Sequence, residues 1–164
     1  MRTLLLAICL AILVAAAPVN VAAQQIVFVV RHGEKLDNTP DTVLSAEGEA
    51  RAQRLATMLA ASGVRAVYTT QYQRTILLAA PTAKRFGISS LVVPAKETET
   101  LLAKIRAHGK NEAVLVVGHS NTVPAILKAL GYAPALVIAE EEFDNFFVLI
   151  PQPAGPPVVV RLKY

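Results

Sequence analysis

Ile26-Val27-Phe28-Val29-Val30-Arg31-His32-Gly33-Glu34 is the stretch on which the reading of this chain turns. Five consecutive apolar residues, four of them β-branched, run without the polar alternation of a half-exposed strand. That is the pattern of a strand covered on both faces. Its carboxyl end carries the polar turn Arg31-His32-Gly33. A second run of the same kind, Ala113 to Val117, ends in Gly118-His119-Ser120. Ligands of open α/β sheets bind beyond the carboxyl ends of the strands, so His32 and His119 are expected to face one crevice.

Between and around these strands the pattern alternates. Ser45 is placed to N-cap a helix through Ala60 that Gly63 ends. Val64 to Tyr68 reads as a strand, Arg74 to Phe86 as a helix stopped by Gly87, Leu91 to Val93 as a short strand, and Glu97 to His108 as a helix with acids at its start. A further helix follows Ser120 and runs to Leu130. Phe143 to Ile150 and Val158 to Leu162 form a hairpin across the proline-rich turn 151–157. Alternation of this kind predicts a three-layer α/β/α sandwich with a mostly parallel central sheet, and 164 residues suffice for one such domain.

The amino terminus has another character. Leu4 to Ala17 is almost unbroken apolar sequence behind the single charge of Arg2, and Pro18 and Asn20 close it before Val21-Ala22-Ala23. It is shorter than the ~20 residues that span a bilayer. Residues 1–23 are therefore expected to be a signal peptide cleaved after Ala23, leaving 24–164 as a single domain exported to the periplasm or the extracellular space. Retention as an anchor is the alternative; after cleavage no stable membrane anchor is expected. Cys9, the one cysteine, lies within this segment, so the mature domain is expected to form neither a disulfide nor a thiolate metal site. Sixteen basic against twelve acidic residues suit a small anionic substrate. There is no basic stripe and no aromatic interleaving to suggest nucleic acid.

Arg31 beside the first histidine and Arg74 at the start of a helix bring two guanidinium forks to the predicted crevice. Paired with two imidazoles they make a pocket for phosphate, whose oxygens arginine meets two at a time. An imidazole kept neutral by positive surroundings can attack phosphorus, and the arginines stabilise the charge of the transition state.

These residues carry a resemblance. Val29-Val30-Arg31-His32-Gly33-Glu34 looks like the signature of the histidine phosphatase superfamily, which includes phosphoglycerate mutase. Leu44-Ser45-Ala46-Glu47-Gly48 with Arg51-Ala52, Val67-Tyr68-Thr69-Thr70 with Arg74-Thr75, and Val116-Val117-Gly118-His119-Ser120 resemble its later blocks in their order. The likeness spans nearly all of residues 26 to 150. It implies a phosphoglycerate mutase-like fold and metal-independent, cofactor-free hydrolysis of phosphomonoesters. His32 becomes the phosphohistidine, Arg31, Arg74 and His119 hold the phosphoryl oxygens, and Asn38 is a further candidate for phosphate binding. A carboxylic acid downstream of the second arginine protonates the leaving alcohol; Glu97 is the candidate, with Glu99 as its alternative. Glu34 fits either the site or a structural ion pair, and His108 reads as a helix-terminal residue without a catalytic role.

The chain departs from the branch that carries His-Asp at the second histidine and long inserted domains, and it has no segments of the kind mutases close over their intermediate. It resembles the compact branch. Export points to a phosphorylated small molecule, with sugar phosphates of the envelope as one class and general phosphate scavenging as another. A phosphohistidine protein phosphatase and a non-catalytic binder of phosphorylated ligands are the alternative readings.

Overall fold

In a computed structural model, residues 25–164 are described. The expected signal peptide and Cys9 lie outside them. Six strands form one sheet: β1 (Ile26–Arg31), β2 (Val64–Thr69), β3 (Ser90–Val92), β4 (Ala113–Gly118), β5 (Asn145–Ile150) and β6 (Val158–Lys163). Their order across the sheet is β3-β2-β4-β1-β5-β6. The first four run parallel, whereas β5 lies antiparallel to β1 and β6 antiparallel to β5. The sheet is thus mostly parallel, with the expected hairpin added at one side. Four helices connect the strands: α1 (Ala46–Met58), α2 (Gln73–Phe86), α3 (Thr98–Arg106) and α4 (Thr122–Ala129).

Two separate apolar clusters show why this makes three layers. Val27 and Val29 of β1 point to the face covered by Leu101 and Ile105 of α3 and Val123, Ile126 and Leu127 of α4. Phe28 and Val30, the alternate residues, face Leu55 of α1 and Leu78 and Ala83 of α2. β4 divides in the same way, with Val114 and Val116 on one side and Leu115 and Val117 on the other. A strand buried on both faces cannot alternate apolar with polar residues, which explains the unbroken runs.

The chain leaves β1 toward the face of α1 and leaves β4 toward that of α4. The paired carboxyl ends of these neighbours are therefore a point where connections diverge, the place where α/β sheets open a crevice. Among the described residues, no helix is long and apolar enough to cross a membrane.

Local signals hold these pieces in place. The Ser45 hydroxyl accepts the Gly48 N–H at 3.2 Å, which caps α1. Gly87 ends α2 in the left-handed region at φ 65°. Glu34 takes the structural role open to it: its carboxylate receives Arg51 Nε at 2.9 and 3.0 Å, joining the loop after β1 to α1. The two segments approach so closely that a Cβ on Gly48 would lie 2.4 Å from the Glu34 carbonyl oxygen. Gly48→Ala is accordingly expected to destabilise the fold by about 1–3 kcal/mol, despite alanine's better helix propensity, as read from a denaturant melt.

Candidate active site

His32 follows directly on β1, and its backbone N–H extends the β1–β4 ladder by donating to the Gly118 carbonyl at 2.9 Å. His119 follows directly on β4. Its N–H donates to Thr122 Oγ1 at 2.8 Å at the start of α4, and Gly118 permits this tight exit, since a Cβ there would come within 2.7 Å of that hydroxyl. The two imidazoles meet edge to face with centroids 5.2 Å apart. The crevice expected between the two strand ends is formed.

A cavity of about 450 Å³ opens over them, lined by His32, Lys35, Asn38, Thr39, Pro40, Arg74, His119, Ser120, Asn121 and Glu140. Its size suits a small molecule. Hydrogen bonding assigns the protons. His32 Nδ1 lies 2.7 Å from the Gly33 carbonyl, which can only accept, so Nδ1 carries the hydrogen and Nε2 keeps its lone pair. His119 Nδ1 faces Arg74 Nη2 at 3.5 Å and its Nε2 meets Thr70 Oγ1 at 3.0 Å. A guanidinium only donates, so Nε2–H of His119 donates to Thr70, which in turn passes its hydroxyl hydrogen to Thr75 at 2.9 Å.

Both rings are held neutral. Burial lowers the His32 pKa from 6.5 to about 3, with His119, Arg31 and Arg74 acting in the same direction against the Gly33 bond. Burial, followed by Arg74 and Arg31, brings His119 to about 4. Such groups bind protons more readily when unfolded, so the stability tied to their neutrality is complete above pH 6.5 and is lost as pH falls toward 4 and below. His32→Asn should therefore flatten the decline in thermal midpoint between pH 6.5 and 4; an unchanged slope would contradict this account.

The expected residues are not all placed as the sequence suggested. Arg74 lines the cavity, stacks over Tyr72 at 4.5 Å and donates to the Pro40 carbonyl at 3.0 Å. Asn38 also lines it, where its side chain accepts Lys35 Nζ at 3.3 Å. Arg31 is only 1% exposed and is not among the cavity residues. Its guanidinium points to the segment before β5, donating to the carbonyls of Ala139 and Glu142 at 2.6 and 3.3 Å and to Glu140 Oε2 at 2.9 Å. Its Nε is buried without a partner.

Glu97 and Glu99 stand outside the cavity. α3 begins at Thr98, which leaves Glu97 as an exposed N-cap residue and Glu99 exposed in the first turn. Glu97 lines a separate narrow space of about 20 Å³, bounded by Tyr68, Thr70, Val93 and Leu101 among others. That is room for roughly one water. Geometry therefore does not support either residue as the acid, because a proton donor must lie within hydrogen-bond reach of the leaving atom. His108 has the structural setting expected of it, bonded to Tyr68 Oη at 2.8 Å and to Glu112 at 2.9 Å. Among the described residues, no cluster of three or more His, Cys, Asp or Glu side chains is placed to hold a metal ion.

Sequence reading missed Glu140, the one carboxylate that lines the cavity, as well as Lys35 and the Thr70–Thr75 relay. Glu140 belongs to the run Glu140-Glu141-Glu142 in an irregular segment, where no periodicity marks which carboxylate turns inward.

Comparison with known proteins gives the same frame. No curated protein sequence matches the chain. The mycobacterial glucosyl-3-phosphoglycerate phosphatase superposes with a TM-score of 0.63 at 15% identity, over 77% of this chain and 90% of its own. The protein histidine phosphatase SixA, solved with tungstate, gives 0.65 at 17% identity over 84% and 96%. A protein described as mycobacterial hydrolase 1 gives 0.66 at 15% over 86% and 98%. At such identities the likeness is one of fold. Residues 27–101, which include Arg31, His32 and Arg74, match the family model described as histidine phosphatase superfamily, branch 1. In both its family-model match and its fold, this chain is thus similar to the histidine phosphatase superfamily.

Proposed function

We propose that this protein is an exported phosphatase that hydrolyses phosphomonoesters of small molecules through a phosphohistidine on His32. The observation that carries the reading is the state of His32: a buried, neutral ring whose Nδ1–H is committed to Gly33 and whose Nε2 keeps its lone pair at a cavity rich in cationic and donor groups. A neutral imidazole is the nucleophilic form, and holding it neutral removes the need for a separate base to activate it.

In the first step His32 Nε2 attacks phosphorus, the nitrogen–phosphorus bond forms, and the bond to the ester oxygen breaks with its electron pair going to that oxygen. The oxygen takes a proton from water in the open cavity and leaves as the alcohol. Arg74 and Lys35 supply positive charge where negative charge is shared among the phosphoryl oxygens. His119 adds a second ring whose Nδ1 can receive a proton once an anion neutralises the surrounding charge. Arg31 contributes a fixed cation behind His32, and Asn38 a polar contact at the rim. In the second step water attacks phosphorus and the electron pair of the nitrogen–phosphorus bond returns to Nε2.

The likeness to a glucosyl-3-phosphoglycerate phosphatase and to SixA supports phosphoryl chemistry on this fold while leaving the leaving group open. Sugar phosphates of the envelope are the class we favour for a chain with this amino terminus. The cavity is wider than one phosphate needs and is mostly polar, which fits a hydroxylated leaving group.

With p-nitrophenyl phosphate in the presence of a chelator, the purified protein is expected to turn over, and His32→Ala to lose about a thousandfold or more while retaining its melting transition. Residual activity above a few per cent would defeat His32 as the nucleophile. No turnover by the unaltered chain would favour a binder of phosphorylated ligands. Export has its own test: the amino terminus of the protein recovered outside the cytoplasm should be Gln24.

A further inference from the structure

The second half-reaction needs a group to take a proton from the attacking water, and neither carboxylate suggested by sequence reaches the cavity. Of the twelve acidic residues in the chain, Glu140 alone lines it. We infer that Glu140 is the catalytic base that deprotonates the water attacking phosphohistidine at His32, an assignment that rests on the phosphatase reading above.

Three observations support this role. First, Glu140 is positioned although its side chain is 70% exposed: Oε1 accepts from Ser120 Oγ at 2.7 Å and Oε2 from the buried Arg31 Nη2 at 2.9 Å. An exposed glutamate on an irregular segment would otherwise sample many rotamers. Second, those contacts use one acceptor site on each oxygen. A carboxylate has about four, so sites remain for a water hydrogen. Third, its Ser120 bond, and then Arg31, hold the carboxyl below the ordinary range, which keeps it ionised and able to accept.

A surface ion pair alone accounts poorly for this placement. A negative charge at the edge of an anion site repels the substrate it faces. If the cavity only bound phosphate, it would do so better without Glu140. A base offsets that cost by serving the second step. The proton balance is simple: water oxygen bonds to phosphorus, the phosphorus–nitrogen bond breaks with its pair returning to His32 Nε2, and one water hydrogen moves to Glu140. Inorganic phosphate leaves, and Glu140 gives the proton to solvent before the next cycle.

The test uses p-nitrophenyl phosphate, whose leaving group departs without a proton and so separates the two half-reactions. In Glu140→Gln the pre-steady-state burst of p-nitrophenolate should keep its rate to within about twofold, while steady-state turnover falls roughly a hundredfold. A phosphoryl adduct on His32 should accumulate in intact-mass spectra taken without acid. Inorganic phosphate should inhibit the variant at lower concentration than the unaltered enzyme, because the repelling charge is gone. Burst and turnover falling together would show that Glu140 only holds Arg31 in place, and turnover unchanged would remove it from the chemistry; either overturns the assignment. Glu140→Ala, with a melt matching the parent, guards against an effect peculiar to glutamine and must show the same split. If the unaltered enzyme gives neither a burst nor turnover dependent on His32, the phosphatase reading fails first and takes this assignment with it.

Discussion

The parallel pairing of β1 with β4 is the contact on which the rest of the site depends. Strand register, continued by the bond from the His32 N–H to the Gly118 carbonyl, fixes where each chain leaves the sheet and therefore how far apart the two imidazoles stand. Six residues of each strand pair in register, and both strands are covered by helices on two faces. A slip of one residue would turn every side chain to the opposite face and separate the histidines. The geometry of the site is thus secured by the same apolar burial that secures the fold.

Burial also sets the chemistry. Two histidines in water would be partly protonated near neutrality, and a protonated ring is no nucleophile. Enclosure by Phe143 and the neighbouring imidazole, together with two guanidinium groups nearby, makes the neutral form the stable one. The stability this sacrifices in acid is the counterpart of the nucleophilic role proposed for His32.

Much of this was legible in the sequence, and the reason is the same in each case. Both buried strands reveal themselves because full burial forbids alternation, and Ser45 and Gly87 reveal helix ends because caps and left-handed turns favour few residues. The residues at strand ends follow from the fold. What was not legible came from irregular backbone. Glu140 sits among three adjacent glutamates on the segment before β5, and its orientation depends on the carbonyls of Ala139 and Glu142 meeting Arg31, a tertiary fit with no local signature. Glu97 misled for a related reason: its position at a helix start was read correctly, but helix position does not tell which way an exposed side chain points.

The placement of Arg31 has a consequence for how variants there should be interpreted. One guanidinium closes the turn from Ala139 to Glu142, anchors Glu140 and contributes positive charge beside His32, while its plane covers the ring of Phe143 at 4.4 Å. Replacing it changes all four at once. A kinetic deficit in such a variant is therefore a composite and cannot be assigned to a lost phosphate contact. Only a cycle of single and double substitutions with Glu140 would separate the contribution of charge from that of architecture.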